Sequence, residues 1–479
     1  MEEVVAILIK CIYFYKQVIM AFHLPDFITI RTTRFPDRGL LYYNEGGRTV
    51  TLGEQSAFST LVKIEVERAT SNANQVHLRF SNSNRYWSKS ANSNVIVAEL
   101  KQPVEDTTDP SCTLFQAVRP GQEADVFNLT HVQTGQRLYL NSANWGLVVQ
   151  SWGQDNLRFV DWSTLVKLPA HVAFKGDNDS FLRGVSQDGY NYLQFSSVDP
   201  NELASGHRVS FIPDGHVRIT SDHWGGQFWR RSPNWIWADA NQSSIDNPDT
   251  HFWLIRIDGD TIAFRNAGNG NFCSRRTTEG KTSMLNAAFS TIVNEARLVV
   301  QELVSRRHIT NVRYRMEDAR IFGEMPYLGG TSMLTNTTDE ESDMAVEVTY
   351  QDEKSYTFSR SMSITAGVST TFQTGVPFIV EGKITASFEI NTTLQWDTAT
   401  TTTTSLTASG SVPVPARSIA TIEYVGTRGT CDIPYSYTQQ DWSSTSGLPA
   451  YTEQVDGTYR GVSCYNFNFV VRSTRSLIA

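Results

Sequence analysis

The chain has 479 residues, more than one hydrophobic core usually serves, so two to four domains are expected. With 40% hydrophobic and 19% charged residues, the composition suits folded domains and excludes general disorder. A net charge of −8 without any Lys/Arg block excludes nucleic acid as the main partner, because phosphate binding demands a basic patch.

The first 22 residues, MEEVVAILIKCIYFYKQVIMAF, have the look of a targeting segment and fail its chemistry. Glu2 and Glu3 stand where a secretory signal is positive, and Lys10 and Lys16 interrupt the apolar run. No stretch reaches the ~18 clean apolar residues of a membrane helix. Residues 1–22 are expected to lie outside the fold, and the protein to be cytoplasmic, becoming membrane-associated when it oligomerises. Cys11, Cys112, Cys273, Cys431 and Cys464 are too few and too scattered for a disulfide scaffold or a zinc site. Reduced, buried thiols are the expectation, with pairing of Cys431 and Cys464 left open.

From 23 to 305 the text is short strands separated by Gly, Asn, Asp and Ser turns. Two echoes organise it. NRYWSKSAN (84–92) is answered by GQFWRRSPN (226–234), and HVQTGQRLYL (131–140) by FRNAGNGNFCS (264–274). The offsets are 142 and 133 positions, which predicts two all-β domains, 23–165 and 166–305. ARLVVQELV (296–304) reads as a last strand or a short helix. Beyond 305 Thr and Ser become dense, culminating in TATTTTTSLTASGS (398–411), so 306–479 is expected to be a third, elongated β-domain.

Within it, SMSITAGVSTTFQTGVPFIVEGKITASFEINTTLQW (361–396) alternates apolar and hydroxyl-rich residues far beyond the four to eight of an ordinary half-buried strand. Folded at 375–382 it becomes a hairpin with one apolar face. Bilayer-crossing strands need ~9–11 tilted residues, apolar outward and polar toward the lumen, in a closed barrel. On that geometry Val368, Phe372, Ile384, Phe388 and Ile390 face lipid. Gln373, Glu381, Lys383 and Glu389 face the channel, and the tip, Val376-Pro377-Phe378-Ile379-Val380, crosses first.

SCTLF (111–115), VDWSTL (160–165), VAFKGDNDSFLRGV (172–185), YLQF (192–195), RITSDHWGGQFWRRSPNWIW (218–237) and LNAA (285–288) resemble the amaranthin agglutinin family over roughly 24–305. The resemblance implies two tandem β-trefoil lectin domains. The C-terminal segment resembles the aerolysin-like β-pore-forming module, through its long alternating strands around GVPFIVEG (375–382). Together these imply a lectin that targets glycosylated membranes and assembles a pore in plant defence or stress. The partners implied are galactose/N-acetylgalactosamine-type glycans, a membrane and further copies of the chain, as a dimer in solution or a ring on the membrane. The family's Ser-small-Asn motif lands on Ser90 and Asn92, where the aromatic pair that should follow is replaced by Asn94 and Val95. The second-domain counterpart reads Ser232, Asn234, Trp235 and Trp237, the aromatic face against which a sugar ring packs. Trp145 and Trp152 are further aromatic candidates.

Nine histidines show no i, i+4 pair, and there is no Cys-x-x-Cys, nucleophile elbow or phosphate-binding loop. The expectation is therefore a binding protein rather than an enzyme, with no cofactor and no metal. The rival reading is a soluble lectin whose C-terminal domain serves assembly or signalling without inserting.

Overall fold

The computed structural model describes residues 24–361, 364 and 368–477. Its secondary structure is almost entirely strand, with a few one-turn 3₁₀ segments. Two compact units divide at Leu165/Val166, with Ile212–Gly215 counted to the first. Residues 1–22, expected to lie outside the fold, are outside the described residues.

The first unit contains twelve strands. Six of them, Phe27–Thr32, Ile64–Arg68, Gln75–Phe80, Phe115–Val118, Val126–His131 and Leu157–Asp161, pair in succession. The last pairs back onto the first, with Ile30 opposite Phe159, so the barrel has no open edge. The other six form three hairpins: Leu40–Asn44 with Thr49–Gly53, Arg85–Lys89 with Ile96–Leu100, and Gln136–Asn141 with Gly146–Gln150. This barrel with three hairpins is the β-trefoil layout. Alternating residues such as Ile28 and Ile30, with Trp87, fill the axis.

The second unit begins with the same plan. His171–Lys175, His207–Phe211, Val217–Ser221, Phe252–Asp258, Thr261–Asn266 and Leu298–Glu302 close a second barrel, Phe174 opposite Val300. The strand Leu298–Glu302 settles the ambiguity of 296–304. Phe174, Trp229, Phe252 and Phe264 form its centre. The paired sequence echoes fall on corresponding hairpins, Arg85–Lys89 and Gln227–Ser232 among them.

An eight-stranded sheet follows. Its two longest strands, Ser418–Ser443 and Pro449–Ser476, are paired along most of their length. At ~3.3 Å per residue such strands make an elongated scaffold. The Thr-rich run is ordered as Thr400–Val414, paired throughout with Ser342–Ser359. One end of the sheet is Lys383–Leu394, followed inward by Thr370–Val380 and Val304–Tyr314. Cys112, Cys273, Cys431 and Cys464 are all buried free thiols. Arg428 stands opposite Cys464 and Gly461 opposite Cys431, so the last two cysteines are out of register for a bridge.

Candidate functional site

Thr370–Val380 and Lys383–Leu394 form an antiparallel hairpin running from Thr370↔Leu394 to Val380↔Lys383. Its turn is Glu381-Gly382, with φ of +50° and +75°. Two successive positive φ values make the two-residue turn that matches strand twist, and glycine supplies the second without strain. Val376-Pro377-Phe378-Ile379-Val380 is therefore not the tip, as the alternation suggested, but the end of the first strand. A bulge beside Ser387 sets Val376 opposite Phe388 and Pro377 opposite Ala386, breaking the simple alternation there.

Phe372, Val376, Phe378 and Ile379 are fully or almost fully buried, packed in one cluster with Phe358, Trp396, Tyr435 and Tyr459. Phe372 lies between Phe358 and Trp396, its ring centroid 4.8 Å from each. Ile384 and Ile390 are half-buried against the same cluster, while Phe388 and Val380 are more exposed. Val368 is half-buried ahead of the first strand. Gln373, Glu381, Lys383 and Glu389 all face solvent. From Phe372 to Phe378 the polar side thus touches water and much of the apolar side is covered by its own domain; nearer the turn the expected division fails, because Ile384 stands opposite Ile379 on the Gln373 side and Lys383 opposite Val380 on the Phe378 side.

Backbone tethers hold it there. Tyr314 Oη donates to the Gly375 carbonyl at 2.7 Å, and Tyr459 Oη donates to that of Pro377. Upstream, Ile364 is wholly buried in the core cluster of the second trefoil. Among the described residues no helix is long and apolar enough to cross a membrane, which says nothing of strands.

The second-trefoil sugar candidates sit on the Gln227–Ser232/Trp235–Ala240 hairpin. Trp235 is only 5% exposed: Tyr192 and Met284 cover it, and its Nε1 donates to Glu279 at 3.2 Å. It therefore offers no open face to a sugar ring here. Trp237 does better. It is half-buried and stacks on Tyr190 at 4.3 Å and 16°, leaving Tyr190 about half exposed. Asn234 lies at the turn beside Asn269, and Ser232 is opposite Trp235. Tyr190 was not singled out from sequence; only the pairing of Tyr192 with Trp237 brings GYNY beside NWIW.

In the first trefoil, Ser90, Asn92 and Asn94 form the loop closing Arg85–Lys89 onto Ile96–Leu100. Asn92 and Asn94 are exposed. The Asn92 amide donates to Ser90 Oγ at 3.4 Å, and the Asn94 carbonyl accepts from Val149 at 2.8 Å. Of the other tryptophans, Trp152 is well exposed against Tyr139, whereas Trp145 packs on the core and Phe35. Among the described residues no group of three or more His, Cys, Asp or Glu is placed to hold a metal.

Comparison with known proteins fits both halves of this geometry. Residues 166–304 match the agglutinin domain, and residues 288–456 match the family of Clostridium epsilon toxin ETX and Bacillus mosquitocidal toxin MTX2. The chain carries an agglutinin-type domain followed by a toxin-type domain. The agglutinin match covers the second trefoil and not residues 24–165, so the first trefoil is assigned on its strand pairing alone. The comparison with curated proteins returned no match.

Among solved structures, the hemolytic lectin CEL-III shares 10% identity at a TM-score of 0.31, covering 92% of each chain. A mosquitocidal holotoxin shares 11% at 0.29, covering 61% of this chain, which spans only 36% of that one. The aerolysin-like protein of Bombina maxima shares 11% at 0.24, covering 35% of this chain and 99% of its own.

Proposed function

We propose that this protein binds glycans on a membrane surface, assembles there with further copies of itself, and inserts the 370–394 hairpin into a shared β-barrel pore. The observation that carries the reading is the sidedness of the hairpin. Phe372, Val376 and Phe378 are hidden on one face, while Gln373 and Glu389 on the other stay in water. A hairpin in a barrel wall must show one apolar face to lipid and one polar face to the lumen, with every backbone group paired. In the soluble chain that apolar face needs cover, because an exposed apolar edge strand aggregates. Within this reading the Glu381-Gly382 turn crosses first.

The lectin half supplies targeting. In the second trefoil a Tyr190–Trp237 platform presents an aromatic face to the C–H side of a sugar ring; in the first, the Ser90, Asn92 and Asn94 loop offers hydroxyl and amide groups to a ligand of its own. Galactose/N-acetylgalactosamine-type glycans are the proposed ligands, and several weak contacts gain avidity on a surface. The protein acts by binding and insertion rather than by catalysis, in plant defence or stress. The buried free thiols support a cytoplasmic store before membrane association.

Dye release from glycan-bearing liposomes tests the reading. His308 and Thr371 are register partners on adjacent parallel strands, close enough for an engineered disulfide. The H308C/T371C variant is expected to be silent when oxidised and to leak when reduced. Equal leakage in both states overturns hairpin insertion. No leakage from any preparation favours the soluble lectin instead.

A further inference from the structure

The second trefoil contains a cavity of about 390 Å³, apart from the Tyr190–Trp237 platform, lined by His216, Trp253, Arg265, Asn266 and Ala267. That size lies at the low end for small-molecule sites. Trp253 and Arg265 are directly opposite on paired strands, so their side chains emerge on the same face. His216 precedes Val217, which pairs with Phe252, and its ring packs edge-on against Trp253 at 5.0 Å and 68°.

The floor is rigid. Asn266 is wholly buried; its Nδ2 donates to the Asp249 carbonyl at 3.0 Å, and its Oδ1 accepts from Arg231 at 3.2 Å and Gly268 at 3.1 Å.

Arg265 decides the chemistry. It is exposed, and its Nε donates to the Gly270 carbonyl at 2.7 Å, which orients the guanidinium. Among the described residues it forms no ion pair, its guanidinium lies 6.0 Å from the Phe272 ring centroid, and no carboxylate lines the cavity. An oriented guanidinium with no carboxylate partner matches a carboxylate through two parallel N–H···O bonds. Trp253 beside it offers an aromatic face to an apolar ring surface.

We infer that this cavity is a second saccharide site, selective for a pyranose that carries a carboxylate, such as a uronic acid. The inference rests on the lectin reading and adds to it an acidic ligand class at a separate place. The pyranose lies against Trp253, its carboxylate is held by Arg265, and His216 flanks the ring.

The test is titration calorimetry on the full chain with glucuronic acid and with glucose, which replaces the carboxylate by a hydroxymethyl group. Glucuronic acid is expected to bind at least roughly tenfold more tightly, one such charged pair being worth a factor of that order. Arg265→Gln, at an exposed position, is expected to fold and lose that preference. Trp253→Ala should lose both ligands, with its thermal melt checking that it folds. Trp237→Ala should leave glucuronic acid binding intact. Equal affinity for the two sugars, absence of glucuronic acid binding at millimolar concentration, or an unchanged preference in Arg265→Gln overturns the inference. A parallel titration with galactose, expected to weaken in Trp237→Ala, reads the platform separately from this cavity.

Discussion

Ser463 and Ile379 hold each other twice. The Ile379 amide donates to Ser463 Oγ at 3.2 Å, and the same hydroxyl donates back to the Ile379 carbonyl at 3.2 Å. Both residues are buried, so one side chain satisfies two backbone groups at the far end of the hairpin. Because it does so without making Ile379 part of the Pro449–Ser476 ladder, this end of the hairpin is held by a single side chain, while the Thr370 end is paired with Val304–Tyr314.

Ser463→Ala is therefore expected to orphan a buried donor and acceptor and to cost about 1–3 kcal/mol. The loss should be local: hydrogen exchange of the Ile379 amide should quicken while the trefoil amides hold. Under the proposed mechanism the variant also leaks dye sooner than wild type. Ile364→Ser, which removes the apolar side chain buried in the second trefoil's core, should act in the same direction.

The aromatic platform makes a second prediction. Trp237→Ala removes the ring stacked on Tyr190 and is expected to weaken glycan binding about tenfold or more, read on an array with the full chain. Trp235→Phe keeps a buried ring at a covered position and should change affinity little. The reverse ranking would return the site to Trp235.

His207 sets a pH dependence. It is fully buried beside Phe174 and Trp229, with Nε2 3.2 Å from the Leu182 carbonyl. Burial pushes its pKa down to about 4, against the partial opposition of that hydrogen bond. The unfolded chain binds this proton from about pH 6.5, the folded chain only near 4, so between them the unfolded state carries more protons. The full contribution is present above pH 6.5 and is lost as pH falls through that window, by about 3 kcal/mol for a shift of this size. Urea unfolding followed at pH 7, 5.5 and 4.5 should show it, and His207→Phe should flatten the slope.

Arg307 joins the second trefoil to the long sheet. It is almost wholly buried and pairs with Glu302 at 2.6 Å and with Asp441 at 2.6 Å. Arg307→Met leaves two acids without their cation and is expected to cost about 3–5 kcal/mol. Calorimetry should then resolve two transitions where the intact chain gives a more cooperative one.

Several features are legible in the sequence alone. The echo of NRYWSKSAN in GQFWRRSPN marks corresponding hairpins of two trefoils, because a repeated unit repeats its turn and aromatic spacing. The alternation of 361–396 reported a two-faced hairpin, since side chains in a strand point to opposite faces with period two. The turn position was not legible. Gly-Val-Pro looks like a tip, yet Glu381-Gly382 takes the positive φ values, and Val376 to Ile379 continue as strand because the domain behind them buries all four residues. Nor did NWIW reveal which tryptophan faces outward. Trp235 and Trp237 share one side of a strand, and only Tyr192 and Met284, brought in from other hairpins, cover the first and leave the second.

Local order along the chain determined strand content, the doubled trefoil plan and the two faces of the hairpin's first strand, because each is written in residues close in sequence. The turn, the covered and uncovered rings, and the cavity at Trp253 and Arg265 were decided by the tertiary structure. They depend on which strands become neighbours, and that pairing joins residues far apart in the chain whose spacing carries no periodic signal.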